Sequence, residues 1–162
     1  HVALTHVREV APGRYAYSLD VVDLAGGTDE SPVVYHHDDG CQASWSPVTD
    51  TLVFVERIET APTDDDFFEG VVLHEWNLGD AASTPLLTPA PGVDIAFPRY
   101  SPDGVDIAWQ RRDDLADPWY VETLSGQVAP VAPMTSDTTP IWSPDGTTLM
   151  FVRTSLPDGV ST

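Results

Sequence analysis

Pro140-Ile141-Trp142-Ser143-Pro144-Asp145-Gly146, running on into Leu149-Met150-Phe151-Val152, decides the fold, because the chain contains two earlier versions of it. One is Pro98-Arg99-Tyr100-Ser101-Pro102-Asp103-Gly104 before Ile107-Ala108-Trp109. The other is Ala43-Ser44-Trp45-Ser46-Pro47 before Leu52-Val53-Phe54-Val55. The serines at 46, 101 and 143 lie 55 and then 42 residues apart. Each copy describes a strand carrying an aromatic, a tight turn, and a second apolar strand, so a hairpin recurs along the chain. Proline presets the first corner of the turn, aspartate accepts from nearby amides, and glycine takes the positive φ that closes it. Such a turn is structural, and the aromatic is suited to wedge between packed sheets.

Working outward, residues 2–7 and 15–24 are rich in β-formers and are separated by Ala11-Pro12-Gly13. A short third strand, Val33-Val34-Tyr35, precedes the polar segment His36-His37-Asp38-Asp39-Gly40. This first unit lacks an opening strand with its Ser-Pro turn. The second is complete, with strands expected at 42–45, 51–57, 71–78 and 84–87 and an acidic insertion over 59–70. The third repeats the order at 96–100, 106–111, 119–124 and 128–132, and a fourth begins at 139 with two strands. Helical periodicity is missing throughout, and the 15 prolines and 11 glycines fit many turns. Four short strands in roughly 40–50 residues are the pattern of propeller blades. The expected fold is therefore all-β: a β-propeller or partial propeller of about four blades. Each blade is a four-stranded antiparallel sheet and the terminal blades are incomplete. Residues 1–162 form a single segment with blades at about 1–37, 41–88, 95–134 and 138–162.

Composition narrows the function classes. Against 26 acidic residues stand 7 basic ones, all arginine, for a formal charge of -19. Nucleic acid and anionic membrane surfaces are excluded as partners by repulsion. Without lysine there is no Schiff-base or phosphate-loop chemistry. Acidity of this degree suits an extracytoplasmic protein, periplasmic, secreted or the ectodomain of an anchored one, with a high-salt cytoplasm as the alternative. Cys41 is the lone cysteine, so no intrachain disulfide or cysteine-rich metal framework forms, and it reads as a small buried hydrophobe. No apolar run reaches the length of a membrane span.

The hairpin phrase carries a family resemblance, together with Leu87-Thr88, Met134-Thr135 and Val21-Val22-Asp23-Leu24-Ala25-Gly26-Gly27. It resembles the WD40-like PD40 repeats of TolB-type β-propellers over most of the chain. Trp142-Ser143-Pro144-Asp145-Gly146 matches in full, Tyr100 stands for tryptophan in the preceding copy, and Pro47-Val48-Thr49-Asp50 departs from the pattern. The resemblance implies that connections between blades share one end of the fold with the loops joining second to third strands, opposite the hairpin turns. Sorted by that rule, one end collects His36, His37, Asp38, Asp39, Asp64, Asp65, Asp66, Glu69, Asp94, Asp113, Asp114, Asp117, Asp137 and Asp158, with Phe67, Phe68 and Phe97 among them.

Two functional readings follow. The first is a non-enzymatic binding or scaffold module that recognises a cationic or amphipathic protein or peptide through Asp64, Asp65, Asp66, Phe67, Phe68, Glu69, Asp113 and Asp114. Charge would steer the encounter and the aromatics supply binding energy. The second is the propeller portion of a larger enzyme, such as a prolyl-oligopeptidase-type serine peptidase or a polysaccharide lyase. No catalytic motif is present: His74-Glu75 lacks the second histidine of a zinc-protease pattern, since Leu78 stands there. His36, His37, Asp38 and Asp39 are the metal candidates by residue type, but adjacent residues on one loop rarely converge without distant ligands. No cofactor is expected, and a divalent cation has no specific motif behind it. Incomplete terminal blades imply either part of a larger propeller or two ends that complement one another, and an end left open would let copies of the chain associate.

Overall fold

In the computed structural model, the described residues are 1–11, 14–25, 32–58, 70–113, 120–127, 135–137 and 139–155. They form only strands and turns. The first sheet has three strands, β1 (Val2–Ala11), β2 (Arg14–Val22) and β3 (Val33–Asp38), in that order. The second runs in order β4 (Gly40–Trp45), β5 (Thr51–Ile58), β6 (Gly70–Asn77) and β7 (Thr84–Leu87). The third repeats this with β8 (Asp94–Tyr100), β9 (Ile107–Arg112), β10 (Tyr120–Thr123) and β11 (Gly126–Gln127). In the last unit, β12 (Thr135–Asp137) pairs with β15 (Arg153–Ser155), and β13 (Ile141–Trp142) with β14 (Leu149–Met150). All pairings are antiparallel. The expected all-β architecture of antiparallel sheets is thus observed, and among the described residues the first sheet has three strands and the last unit two strand pairs. The strand expected at 128–132 lies outside the described residues.

The sheets stack face to face, and β5 shows why. Alternation sends Leu52 and Phe54 toward the first sheet, where they join Leu19, Val21, Tyr35 and Trp76. Val53 and Val55 go the other way, to Cys41, Val71, Leu73, Ile95, Ile107 and Trp109. A strand covered on both faces needs no polar alternation, so Leu52-Val53-Phe54-Val55 is an unbroken apolar run, each residue fully buried. Each contributes roughly 1.5–3 kcal/mol by burial.

The hairpin phrase is built alike in its last two copies. Ser101 and Ser143 donate through their amides to the carbonyls of Asp106 and Thr148, at 2.8 Å in both. Their hydroxyls donate to Asp103 and Asp145 at 2.6 Å and accept the amides of Asp106 and Thr148. Gly104 and Gly146 close the turns at φ 70° and 71°. Serine is therefore as much a part of the turn as aspartate, a role its neighbours' turn chemistry had hidden. The aromatics reach the preceding sheet: Tyr100 Oη donates to Glu75 at 2.9 Å, and Trp142 Nε1 to the carbonyl of Arg99 at 3.1 Å.

Just upstream, β4 and β8 each carry a bulge, between Cys41 and Ser44 and between Ala96 and Arg99. Gln42 and Phe97 hold the same place in these bulges, at φ 54° and 53°. The Gln42 carboxamide oxygen accepts the Phe97 amide at 2.9 Å, tying one bulge to the next. Bulges bend a strand and increase its twist, which suits β4 and β8, edge strands of neighbouring sheets joined at their bulges.

Backbone hydrogen bonds also separate the two ends. The Arg57 amide donates to Asp39 and the Asp39 amide to Tyr17, so the link from first to second sheet sits beside the end of β5. Leu78 donates to Asp50, and Leu124 to Ile107, at the opposite end with the hairpin turns.

Candidate functional site

Of the residues proposed for partner binding, Asp64, Asp65, Asp66, Phe67, Phe68, Glu69 and Asp114 lie outside the described residues. The point of origin of residues 59–69 does not: Ile58 and Gly70 are register partners at the end of the fold that also carries Asp39. Asp113 belongs to the same end in the third sheet, just past Arg112, the register partner of Asp94. It accepts from Arg111 Nε at 2.8 Å and from Tyr120 Oη at 2.9 Å. Burial alone would raise its pKa, but these hydrogen bonds outweigh it and hold the carboxyl below its usual range. Tyr120 moves the other way, pushed up to about 12 by burial and by donating to that carboxylate.

Asp94 lies at the acidic end as expected, but it is buried. Its carboxylate meets Arg57 Nη1 at 3.4 Å and Arg112 Nη2 at 2.9 Å. Two of the seven arginines are consumed in neutralising it, because a carboxylate between packed sheets must be paired. Cys41 adjoins this group; burial pushes its thiol pKa up, with Arg57 partly opposing. Phe97 remains partly exposed at its bulge.

The segment from His36 to Asp39 is not a loop. β3 extends through Asp38, because Asp20 pairs with His36, Leu19 with His37 and Ser18 with Asp38. Strand alternation then sends the two histidines to opposite faces. His36 lies on the face turned away from the second sheet, with Nδ1 2.5 Å from Asp20 and Nε2 3.1 Å from Asp38. Asp20 also meets His6 Nε2 at 3.0 Å. These carboxylates raise the His36 pKa, Asp20 foremost. Asp39, at φ 63°, makes the turn into β4.

His37 points into the crevice between the first and second sheets, where it meets two groups whose part in a site the sequence did not reveal. Glu56, near the end of β5, and His74, on β6, lie diagonally across their strand pair, with Glu56 Oε2 2.7 Å from His74 Nε2. One potential ligand atom from each of His37, Glu56 and His74 lies within 4.8 Å of the other two. The rings are positioned by packing: Phe54 stacks on His74 with centroids 5.4 Å apart and meets His37 edge-on at 4.9 Å. Ser83 Oγ lies 3.1 Å from His74 Nδ1, and His37 Nδ1 is hydrogen-bonded to the Asp38 carbonyl. Tyr35 stacks on Trp76 at 4.4 Å alongside, its phenol pKa raised chiefly by burial. His74 is buried, while His37 and Glu56 are partly open to solvent. Period-two alternation through Tyr35, His37 and through Phe54, Glu56 was available in the sequence. Which strands face one another across the crevice was not.

Among the described residues no helix is long and apolar enough to cross a membrane. No protein-family model matches the sequence, and no curated protein matches it. Among solved structures, TolB from Acinetobacter baumannii is similar at 17% identity and a TM-score of 0.60, over 94% of this chain and 35% of that one. The chain spans about a third of that protein's length, and the likeness establishes its fold as part of a TolB-like β-propeller.

Proposed function

We propose that the chain is a PD40-type propeller segment acting as a binding module, which captures a cationic or amphipathic protein or peptide at its acidic end, outside the cytoplasm. The observation that carries this is convergence at one end of the stack. Asp38, whose side chain is 91% exposed, and Asp113, at 51%, occupy the end from which the acidic segment 59–69 springs. Arg57 and Arg112 are engaged there by Asp94, and Arg111 by Asp113 and Glu122, while Arg8, where β1 and β2 run on past Asp38, is exposed at the same end. The acidic segment 59–69 adds to the negative charge at this end, and negative charge gathered at one surface steers a cationic partner and rejects anionic ones.

The test is binding to immobilised arginine-rich amphipathic peptides over a range of salt, comparing wild type with a variant carrying Asp64, Asp65 and Asp66 as Asn and Phe67 and Phe68 as Ser. Salt-sensitive binding that the variant loses is expected. A control with Asp103 and Asp145 changed to Asn, at the hairpin end, should bind as wild type. Equal binding by the loop variant, or loss in the hairpin variant alone, rejects the assignment.

A further inference from the structure

We infer that His37, Glu56 and His74 form a site for a divalent first-row transition metal, Zn²⁺ foremost, in the crevice between the first two sheets. Three ligand atoms come from three strands, β3, β5 and β6, within 4.8 Å of one another. Bonds of ~2.0–2.2 Å at tetrahedral angles set ligand atoms about 3.3–3.6 Å apart, so closure asks for shifts of about 1.5 Å or less from the 4.8 Å limit. Both imidazoles are held in the way metal-binding histidines usually are. Each has an oxygen partner at Nδ1, the Asp38 carbonyl for His37 and Ser83 Oγ for His74. That leaves Nε2 for the cation, and at His74 this nitrogen already faces Glu56. Two imidazoles and a carboxylate suit zinc and its neighbours, whereas Mg²⁺ and Ca²⁺ prefer an all-oxygen shell.

The repeat supplies an internal comparison. In the third sheet the same diagonal of second and third strands is occupied by Arg111 and Glu122, whose Nη1 and Oε2 lie 3.2 Å apart. That pair is self-contained, because the cation is already part of the protein. In the second sheet the arginine's place is taken by Glu56 and the glutamate's by His74, and the first sheet adds His37. The arrangement replaces a guanidinium with three donors, and the chain's strong negative charge favours any cation that enters.

The experiment is titration of chelator-treated protein with ZnCl₂ by calorimetry and with CoCl₂ by visible absorption. One Zn²⁺ per chain and the intense d–d bands of tetrahedral Co²⁺ are expected. His37→Ala and Glu56→Gln should weaken binding by more than the ~10–100-fold that loss of an outer hydrogen-bond partner costs, and Ser83→Ala by about that amount. Glu56→Gln keeps a hydrogen-bond acceptor for His74, and circular dichroism checks that each variant is folded. A His6→Ala/His36→Ala variant, which strips the imidazoles of the opposite face, should bind as wild type. Absence of stoichiometric binding, binding untouched by both His37→Ala and Glu56→Gln, or loss in His6→Ala/His36→Ala overturns the assignment.

Discussion

Gly104 and Gly146 occupy the same turn position with almost the same backbone, φ 70° and 71°, but in different surroundings. A Cβ built on Gly146 meets nothing closer than Pro102 Cδ at 3.6 Å, whereas one on Gly104 would overlap Val48 Cγ2 and stand 3.1 Å from Ser46 Oγ. Replacing either by alanine costs about 1–2 kcal/mol for a left-handed L-residue, offset by about 0.4–1 kcal/mol from the stiffer unfolded chain. That part is common to both. The difference is Val48, which belongs to the turn of the preceding unit and is 59% exposed, so it can swing away. An off-rotamer valine costs about 0.5–1.5 kcal/mol, and Gly104→Ala should therefore be worse than Gly146→Ala by about that amount. Urea denaturation with matched m-values measures the gap. In a Val48→Ala background the gap should narrow, leaving only what the 3.1 Å approach to Ser46 Oγ adds. If Gly104→Ala proves no worse than Gly146→Ala, or if Val48→Ala leaves the gap unchanged, adjacent turns are not in contact as described.

Two further outcomes follow from the same repeat. Asp145 has its pKa lowered to about 2 by the Ser143 hydroxyl, then by the Thr147 amide and hydroxyl, and Asp103 is lowered by Ser101 and Val105. Carboxylates with depressed folded pKa values stabilise the fold above the unfolded value of about 3.9. That contribution is lost as pH falls from there through about 2. An Asp103→Asn/Asp145→Asn variant should show a shallower loss of stability across this window than wild type, as followed by tryptophan fluorescence. Trp45 and Trp142 should respond oppositely to phenylalanine. Trp142→Phe removes a donor to the Arg99 carbonyl and should destabilise by about 0.5–1.5 kcal/mol. Among the described residues Trp45 Nε1 is buried without an acceptor, so Trp45→Phe removes an unsatisfied group and should be neutral or stabilising in the same denaturation assay.

Much of the architecture was legible because it is local. A Ser-Pro-Asp-Gly turn closes through atoms of a few consecutive residues, and an apolar run such as Leu52-Val53-Phe54-Val55 states that both faces of its strand are covered. Three copies at comparable spacing then imply stacked units. The burial of Asp94 was not legible, for the complementary reason. An aspartate near a predicted connection reads as solvated, and only the packing of β5 and β9 beside β8 brings Arg57 and Arg112 to it. Likewise β3 runs through His36 and His37 because β2 offers a partner for each residue, which outweighs their polar composition.

The sequence alone determined the repeat, the turns, the all-strand architecture and the negative charge, all of which follow from short-range backbone preferences and from composition. The tertiary structure decided which side chains meet. His37, Glu56 and His74 come from three strands of two sheets, and their convergence depends on register within each sheet and on how the sheets face one another. Register is set by the long-range pairing of backbone amides and carbonyls, and a one-residue slip would carry His37 to the other face and His36 into the crevice.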